Sequence, residues 1–289
     1  MRLYTSNFSV FIVKSLLLFL VVVVLYAVTI GLLKPTSTFA QNQSQGNFIF
    51  AQNFIYLDEK PSQVIVGSSM AARMKFEKED DVYNLAFDGG GPLTGMEIIR
   101  RSGFVPKVIY IESNVFSMDV DEKFLDKLFT PLLFELRREV IALQEKYQLL
   151  NIVGTLIYGF AGRSQQEKLE QQVDTELLDM LVISSLQSSK QFSVREMALE
   201  QWHKNLDYFQ AKGTKILFFE MPNDRRLITT NKRKKLRKLL ADQFPKISYI
   251  EENNSDDKYK TADGTHLTLV SALAFTRYVK KNILTIKER

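Results

Sequence analysis

The feature that most constrains this chain is Ser15 to Leu33, nineteen successive residues without a charge that include Leu16-Leu17-Leu18-Phe19-Leu20 and Val21 to Val24. As a helix, a run of that length covers about 30 Å, the hydrocarbon thickness of a bilayer. A soluble core seldom needs so long a stretch with no polar face, so the run reads as a transmembrane helix. Arg2 and Lys14 precede it and no acidic residue occurs before Asp58. That bias puts the N-terminus in the cytoplasm and everything after Lys34 in the periplasm or outside the cell, as a single-pass protein of the cell membrane. Thr38-Phe39-Ala40 before Gln41 has the small-residue spacing of a signal-peptidase site. The apolar run is longer than a usual signal core, so an uncleaved anchor is expected.

Charge and cysteine usage then exclude several classes. Arg2, Lys14 and Lys34 belong to the anchor region and account for three of the formal +5 charges, leaving +2 for the rest. Nucleic acid is therefore not an expected partner. With no cysteine and two histidines in 289 residues, disulfides, thiolate sites and cysteine nucleophiles are excluded, and neither a bound metal nor another cofactor is expected.

Beyond the anchor (residues 1–34), residues 35–60 are polar and interrupted by Pro35, with a Gln/Asn/Ser-rich stretch at Gln41 to Asn47, which reads as a tether. One folded domain is expected over 61–289. Within it, β-branched and apolar runs at Gln63–Val66, Val82–Leu85, Lys107–Ile111 and Thr214–Phe219, with a weaker one at Ile247–Ile250, predict strands. Helical patterns occupy Leu93–Arg101, Glu122–Gln148, Ser164–Leu186, Val194–Ala211, Lys232–Ala241 and Leu267–Ile283. Such alternation predicts an α/β fold with a central parallel sheet and a site at the carboxyl ends of its strands. The segment at about 115–212 is longer than one crossover helix requires, and its Leu and Phe spacing predicts a helical cap or a wall of the cleft.

Four segments carry chemistry. Val64-Ile65-Val66-Gly67-Ser68-Ser69 ends a buried strand in a serine at a strand-to-helix turn, where backbone N–H groups can stabilise an oxyanion, although a serine there is also a common helix cap. Asp88-Gly89-Gly90-Gly91-Pro92 is a glycine-rich turn after the second strand, and Glu112-Ser113-Asn114 ends the third with a side-chain amide. Asp263-Gly264-Thr265-His266-Leu267 sets a carboxylate three residues before a histidine, a spacing that lets the acid orient the imidazole for proton transfer. The other histidine, His203, lies in an amphipathic helix and reads as structural. Arg225 and Arg226, after the fourth strand, and the basic run Lys232 to Leu240 read as solvated surface, with an anionic acceptor or headgroup as the alternative.

In this order and at these strand ends, the four segments resemble the four sequence blocks of the SGNH (GDSL-type) hydrolase superfamily, from about Val64 to Ile283. The resemblance implies a flavodoxin-like three-layer α/β/α sandwich. It also implies Ser69 as nucleophile, His266 and Asp263 as its partners, and an oxyanion hole from Gly89, Asn114 and the Ser69 amide. Two blocks depart from the family pattern: Ser68 stands where aspartate is usual, and Glu112-Ser113-Asn114-Val115 where Gly-x-Asn-Asp is usual. Anchored members of this kind act on acyl esters of envelope or exported polysaccharides, as in alginate acetylation and teichoic acid D-alanylation. The expected activity is thus an extracytoplasmic serine esterase or O-acyltransferase, with a polysaccharide or acyl-ester substrate and partner proteins of an acylation complex. The alternatives are a catalytically inactive accessory protein of such a complex and a membrane-tethered lipolytic esterase.

Overall fold

A computed structural model describes residues 3–37, 39–160, 175–188, 194–250 and 258–282. Thr38 of the cleavage motif, the first part of the helix expected over Ser164–Leu186 and Ile283 lie outside the described residues. The helices in chain order are α1 (Leu3–Leu33), α2 (Gln43–Ile55), α3 (Ser69–Ala72), α4 (Pro92–Arg101), α5 (Glu122–Leu128), α6 (Pro131–Glu139), α7 (Leu149–Phe160), α8 (Thr175–Ser188), α9 (Glu196–Ala211), α10 (Arg225–Ile228), α11 (Asn231–Gln243) and α12 (Leu269–Asn282). The strands are β1 (Gln63–Gly67), β2 (Val82–Ala86), β3 (Val108–Glu112), β4 (Lys215–Phe219) and β5 (Ser248–Ile250). The chain forms two units, Met1–Gln52 with Leu128–Arg163, and Asn53–Lys127 with Ser164–Arg289.

The second unit is α/β. Its five strands are all parallel, in the order β2-β1-β3-β4-β5. They read as near-continuous apolar runs because helices flank the sheet and bury both of its faces. Ile65, Tyr110 and Leu217 join Met70, Met74, Phe275 and Val279 in a cluster beneath α3 and α12. The next residue of β1, Val66, points the other way, toward α4, where a Cβ on Gly95 would stand 2.9 Å from its Cγ1. Glycine at 95 therefore sets how closely α4 lies on the sheet. Farther along, Trp202 of α9 stacks on Phe116 with ring centroids 4.3 Å apart and donates to the Phe116 carbonyl. Chain order reverses between β1 and β3, which creates a crevice at their carboxyl ends.

The first unit is built differently. Within α1, Phe8–Leu33 is a 26-residue helix long and apolar enough to cross a membrane, and nearly all of it is exposed. Only near its end is one face covered, at Tyr26, Ala27 and Ile30. There the turn Ile141–Leu143 packs on α1, and the Tyr26 hydroxyl donates to the Tyr147 carbonyl.

Three sequence expectations change. The polar stretch expected as a tether over 35–60 is helical from Gln43 to Ile55, and Phe54 is fully buried with its ring 5.1 Å from Tyr83 and 5.9 Å from Phe104. Phe48, Ile49, Ala51, Phe54 and Ile55 have helical spacing that the surrounding Gln and Asn obscure. The single helix expected over Glu122–Gln148 is broken into α5, α6 and two short 3-10 turns. Pro131 opens α6 as its first residue, and a proline there cannot continue the helix before it. Finally, Leu128–Arg163 groups with the N-terminal segment, so the insertion expected at 115–212 as one cap or wall is divided between the two units.

Candidate active site

The site begins where β1 runs out. Gly67 is its last residue, and a Cβ there would stand 2.5 Å from Glu112 Oε2 and 2.7 Å from the Ala71 Cβ, so only glycine fits. Ser68 adopts extended backbone and caps α3, its Oγ accepting from the Met70 N–H at 3.3 Å. Ser69 is thereby the first residue of α3, half-buried at the carboxyl end of β1 and at the point where strand order reverses. Asn84 of β2 holds the far end of this short helix, donating to the Ala71 and Met74 carbonyls at 2.8 and 3.0 Å.

Opposite Ser69 stands the turn Asp263–His266. Gly264 has φ +89°, which an L side chain rarely adopts, and a Cβ on it would meet Val182 Cγ2 of α8 at 2.7 Å. Asp263 Oδ1 accepts from the backbone N–H groups of Thr265 and His266 at 2.9 and 2.7 Å, which leaves Oδ2 for the His266 ring at 2.6 Å from Nδ1. Across the cleft, His266 Nε2 lies 2.7 Å from Ser69 Oγ. With Nδ1–H donating to Asp263, Nε2 is the acceptor for the Ser69 hydroxyl. Burial acts to raise the Asp263 carboxyl, but the hydrogen bonds from the His266 ring and from the His266 and Thr265 N–H groups outweigh it and hold it well below the usual carboxylate range. A carboxylate that stays ionised can stabilise an imidazolium, so the arrangement is chemically able to take the proton from Ser69. Arg73, at the end of α3, ties this turn to the helix that begins at Ser69 by donating to the Leu267 carbonyl. Burial lowers its guanidinium from the ordinary value, against the pull of Asp263 and Asp88.

The sequence reading did not single out Glu112 for a role. It is fully buried at the end of β3, and its carboxylate accepts from the Ser68 N–H at 2.7 Å and from the Ser68 hydroxyl at 3.0 and 3.1 Å. Burial raises its carboxyl above the ordinary range, while the Ser68 hydrogen bonds and Arg233 act against that rise. A second buried acid lies nearby in sequence order after β4: Glu220 pairs with Arg233 and Arg237, each at 2.9 Å, and accepts from the Tyr249 hydroxyl at 2.8 Å. Two members of the basic run Lys232 to Leu240 are therefore not solvated surface. Arg233 is buried and Arg237 is half-buried, because the Glu220 carboxylate draws them inward. Arg226 pairs with Asp224 and Asp179 on the surface, and His203 is exposed beside Phe244.

The two further oxyanion positions behave differently. Gly89 sits in an exposed turn with φ +69°, and that turn is held beside β1 by the Phe87 N–H donating to the Gly67 carbonyl at 3.2 Å. No hydrogen bond joins Gly89 to Ser69 or His266 among the described residues. Asn114 is buried, and its amide nitrogen donates to the Met221 carbonyl at 3.0 Å and to Asn223 Oδ1 at 2.9 Å, while its oxygen accepts from the Met221 N–H at 2.7 Å. Both its N–H bonds are thus committed to the loop after β4, and here Asn114 serves as a clamp on that loop. No three His, Asp or Glu side chains among the described residues converge to hold a metal ion. Set against known proteins, the chain matches no family model and no curated sequence, and the site is read from its own geometry.

Proposed function

We propose that the chain is a membrane-anchored serine acyl-enzyme of SGNH type, acting by hydrolysis or transfer on acyl esters of envelope or exported polysaccharide. The observation that carries this reading is the chain of contacts from Ser69 Oγ through His266 to Asp263, at 2.7 and 2.6 Å, at the reversal of strand order. The order β2-β1-β3-β4-β5 is that of flavodoxin-like sheets, which supports the family resemblance. The two departures from the family pattern meet in space. Where the pattern puts a carboxylate at position 68, this chain has Ser68 hydrogen-bonded to the carboxylate of Glu112, which stands in the other altered block. The nucleophile turn therefore keeps a buried carboxylate, supplied from the neighbouring strand.

In the reaction, Ser69 attacks the ester carbonyl as its proton passes to His266 Nε2, and Asp263 stabilises the imidazolium. His266 then returns the proton to the departing alcohol, and water or a sugar hydroxyl resolves the acyl-enzyme. Ser69 is the first residue of α3, and its N–H has no partner within the helix, which makes it the natural donor to the oxyanion. The anchor is α1, with the sheet unit in the periplasm or outside the cell. Phe39, the central residue of the cleavage-like motif, lies close against Gly154 of α7, where a Cβ would stand 2.4 Å from its ring, and this contact favours an uncleaved anchor.

The committed Asn114 amide favours a second reading, an inactive SGNH-like accessory protein. Labelling of the full chain in detergent with a fluorophosphonate probe, alongside p-nitrophenyl acetate turnover, separates the two. Loss of both signals in Ser69→Ala and His266→Ala is expected of an acyl-enzyme. A folded wild type that neither labels nor turns over would make the accessory protein the better reading.

A further inference from the structure

The unit containing α1 buries polar side chains beside Ile30, Ile49 and Ala51 and leaves many apolar ones exposed. Its buried side chains include Gln52, Gln144 and Asn151. Gln52 accepts from the Glu145 N–H at 2.7 Å, Gln144 donates to the Arg137 carbonyl at 3.1 Å, and Asn151 donates to the Glu145 carbonyl at 2.8 Å. Helix α7 turns a small, polar face inward: Ser37 meets Asn151 and Thr155, and the Phe39 ring fills the space over Gly154. Its outward stripe is Leu149, Leu150, Val153, Leu156 and Ile157, spaced on one helical face and between 41% and 65% exposed. Along α6 and the turn after it, Leu132, Leu133, Leu136, Val140 and Leu143 are exposed as well, alongside the charged Glu135, Arg138 and Glu139.

On α7 this is the reverse of a water-facing surface, and it adds to the bare apolar surface of α1. Its level along α1 follows from two bonds. Tyr26, which holds the Tyr147 carbonyl just before α7, lies seven residues before Leu33, or about 10 Å below the end of α1. Ser37, beyond that end, holds Asn151 and Thr155 of α7 itself. The chain from Tyr147 to Asn151 therefore passes along the last two turns of an apolar helix to just beyond its end. We infer that α6 and α7 form a collar around the end of α1 whose apolar stripe is seated among the acyl chains and headgroups of the outer leaflet, so the partner of this surface is lipid. Helices of this kind bury their apolar face about 5–10 Å into the interface, the depth the Tyr26 contact sets. The collar rests on the reading of α1 as a membrane anchor.

The chain has no cysteine, so single-site labelling is clean. Leu150→Cys, Leu156→Cys, Val22→Cys in α1 and Lys235→Cys on the exposed side of α11 are each made in the full chain. They carry a nitroxide, are reconstituted in phosphatidylcholine vesicles and are read by collision with oxygen and with a water-soluble nickel chelate. Trp202 emission checks that the sheet unit folds in each variant, and circular dichroism checks that helix content is kept. Expected is a several-fold excess of oxygen over nickel collisions at Val22, Leu150 and Leu156 relative to Lys235, largest at Val22. Nickel-accessible Leu150 and Leu156 with Val22 in lipid would overturn the collar and leave the anchor. Sites shielded from both agents would also overturn it, in favour of a contact with a second copy. A nickel-accessible Val22 would instead defeat the anchor reading on which the collar stands.

Discussion

Replacing Glu112 with alanine removes the one carboxylate that accepts from both the backbone and the hydroxyl of Ser68, at 2.7 and 3.0 Å. Ser68 is 4% exposed, so water cannot take over the N–H without opening the strand end. Each buried donor left without a partner costs about 1–3 kcal/mol, and the vacated volume adds a cavity. Relief of the desolvated carboxylate offsets part of this, which leaves a net loss of about 3 kcal/mol, the low end of what breaking a buried charged pair costs. In a unit of this size that loss lowers the melting temperature by about 6–12 °C. Trp202 is the only tryptophan and is fully buried in the sheet unit, so its emission reports the transition. Glu112→Gln keeps the volume and one acceptor oxygen and is expected to lose about 1 kcal/mol. The pH dependence has a definite sign. Because burial raises the Glu112 carboxyl, the folded state holds its proton more tightly than the unfolded chain, so its contribution falls as pH rises from the ordinary carboxylate range through the folded value. Glutamine does not titrate, so the advantage of wild type over Glu112→Gln shrinks across that window. An alanine variant that melts within about 2 °C of wild type across this range and labels like wild type would refute the assignment of Glu112 as the support of the Ser68–Ser69 turn.

Asp263→Asn has the opposite pH signature. The depressed Asp263 carboxyl contributes stability that is complete above the ordinary carboxylate range and is lost as pH falls below about 4, so thermal melts of wild type and variant should differ at neutral pH and converge in acid. Gly264→Ala puts a Cβ at φ +89° against Val182 and should cost about 1–3 kcal/mol in a melt. The same change displaces His266, and a shift of about 1 Å from Ser69 should lower p-nitrophenyl acetate turnover on the order of 100-fold. His266→Ala should lower that turnover by about 100- to 10,000-fold, and because it removes the ring hydrogen bond that holds the Asp263 carboxyl down it should also lower the melting temperature at neutral pH. For Asn114→Ala, the Met221 N–H and carbonyl lose their partners, and the expected result is a loss of about 1–3 kcal/mol in the Trp202 melt. A stable Asn114→Ala protein that has lost only turnover would return Asn114 to an oxyanion role.

The parallel strands were legible because a strand covered on both faces must be apolar along its length, and Gln63–Val66 through Ile247–Ile250 are bounded by turn residues within a residue or two of β1 to β5. The pairing of Ser69 with Asp263 and His266 came from the family resemblance and not from strand periodicity, since the Asp263–His266 turn lies well beyond the end of β5. Glu112 was not legible. A carboxylate in an apolar strand looks like an edge residue until the register pairs Val66 with Ile111, which brings Glu112 alongside the Gly67–Ser68 turn. Asn114 was read as a donor to substrate because the loop that occupies it, Met221 to Asn223, lies more than a hundred residues away. The break at Pro131 was written in the sequence, by a residue that can open a helix and cannot sit inside one.

The division of the insertion shows where periodicity alone fails. The stripes of α6 and α7 have the spacing of a core-facing helix, and spacing cannot say whether the apolar face meets protein or lipid. What decides is the opposite face. In a helix packed on a soluble core the polar residues face water, whereas in α7 Asn151 is fully buried and Leu150 is 65% exposed. Several polar groups of this unit bond one another inside: Gln45 donates to Glu145, Gln52 accepts from the Glu145 N–H, and Asn151 donates to its carbonyl, while the Gln52 amide nitrogen and the Asn151 amide oxygen are buried without a partner among the described residues. Inward bonding of this kind is what a segment uses where its outer face has no water to bond. The Gln- and Asn-rich composition after Lys34, which looks like a flexible tether, is thus the complement of the apolar residues in α6 and α7: one supplies the inner bonds, the other the outer surface. A charged substitution at Leu150 should accordingly raise nickel collisions at a label on Leu156 while leaving the Trp202 melt of the sheet unit in place, and substitution of Asn151 by leucine should destabilise the collar although it makes the segment more apolar.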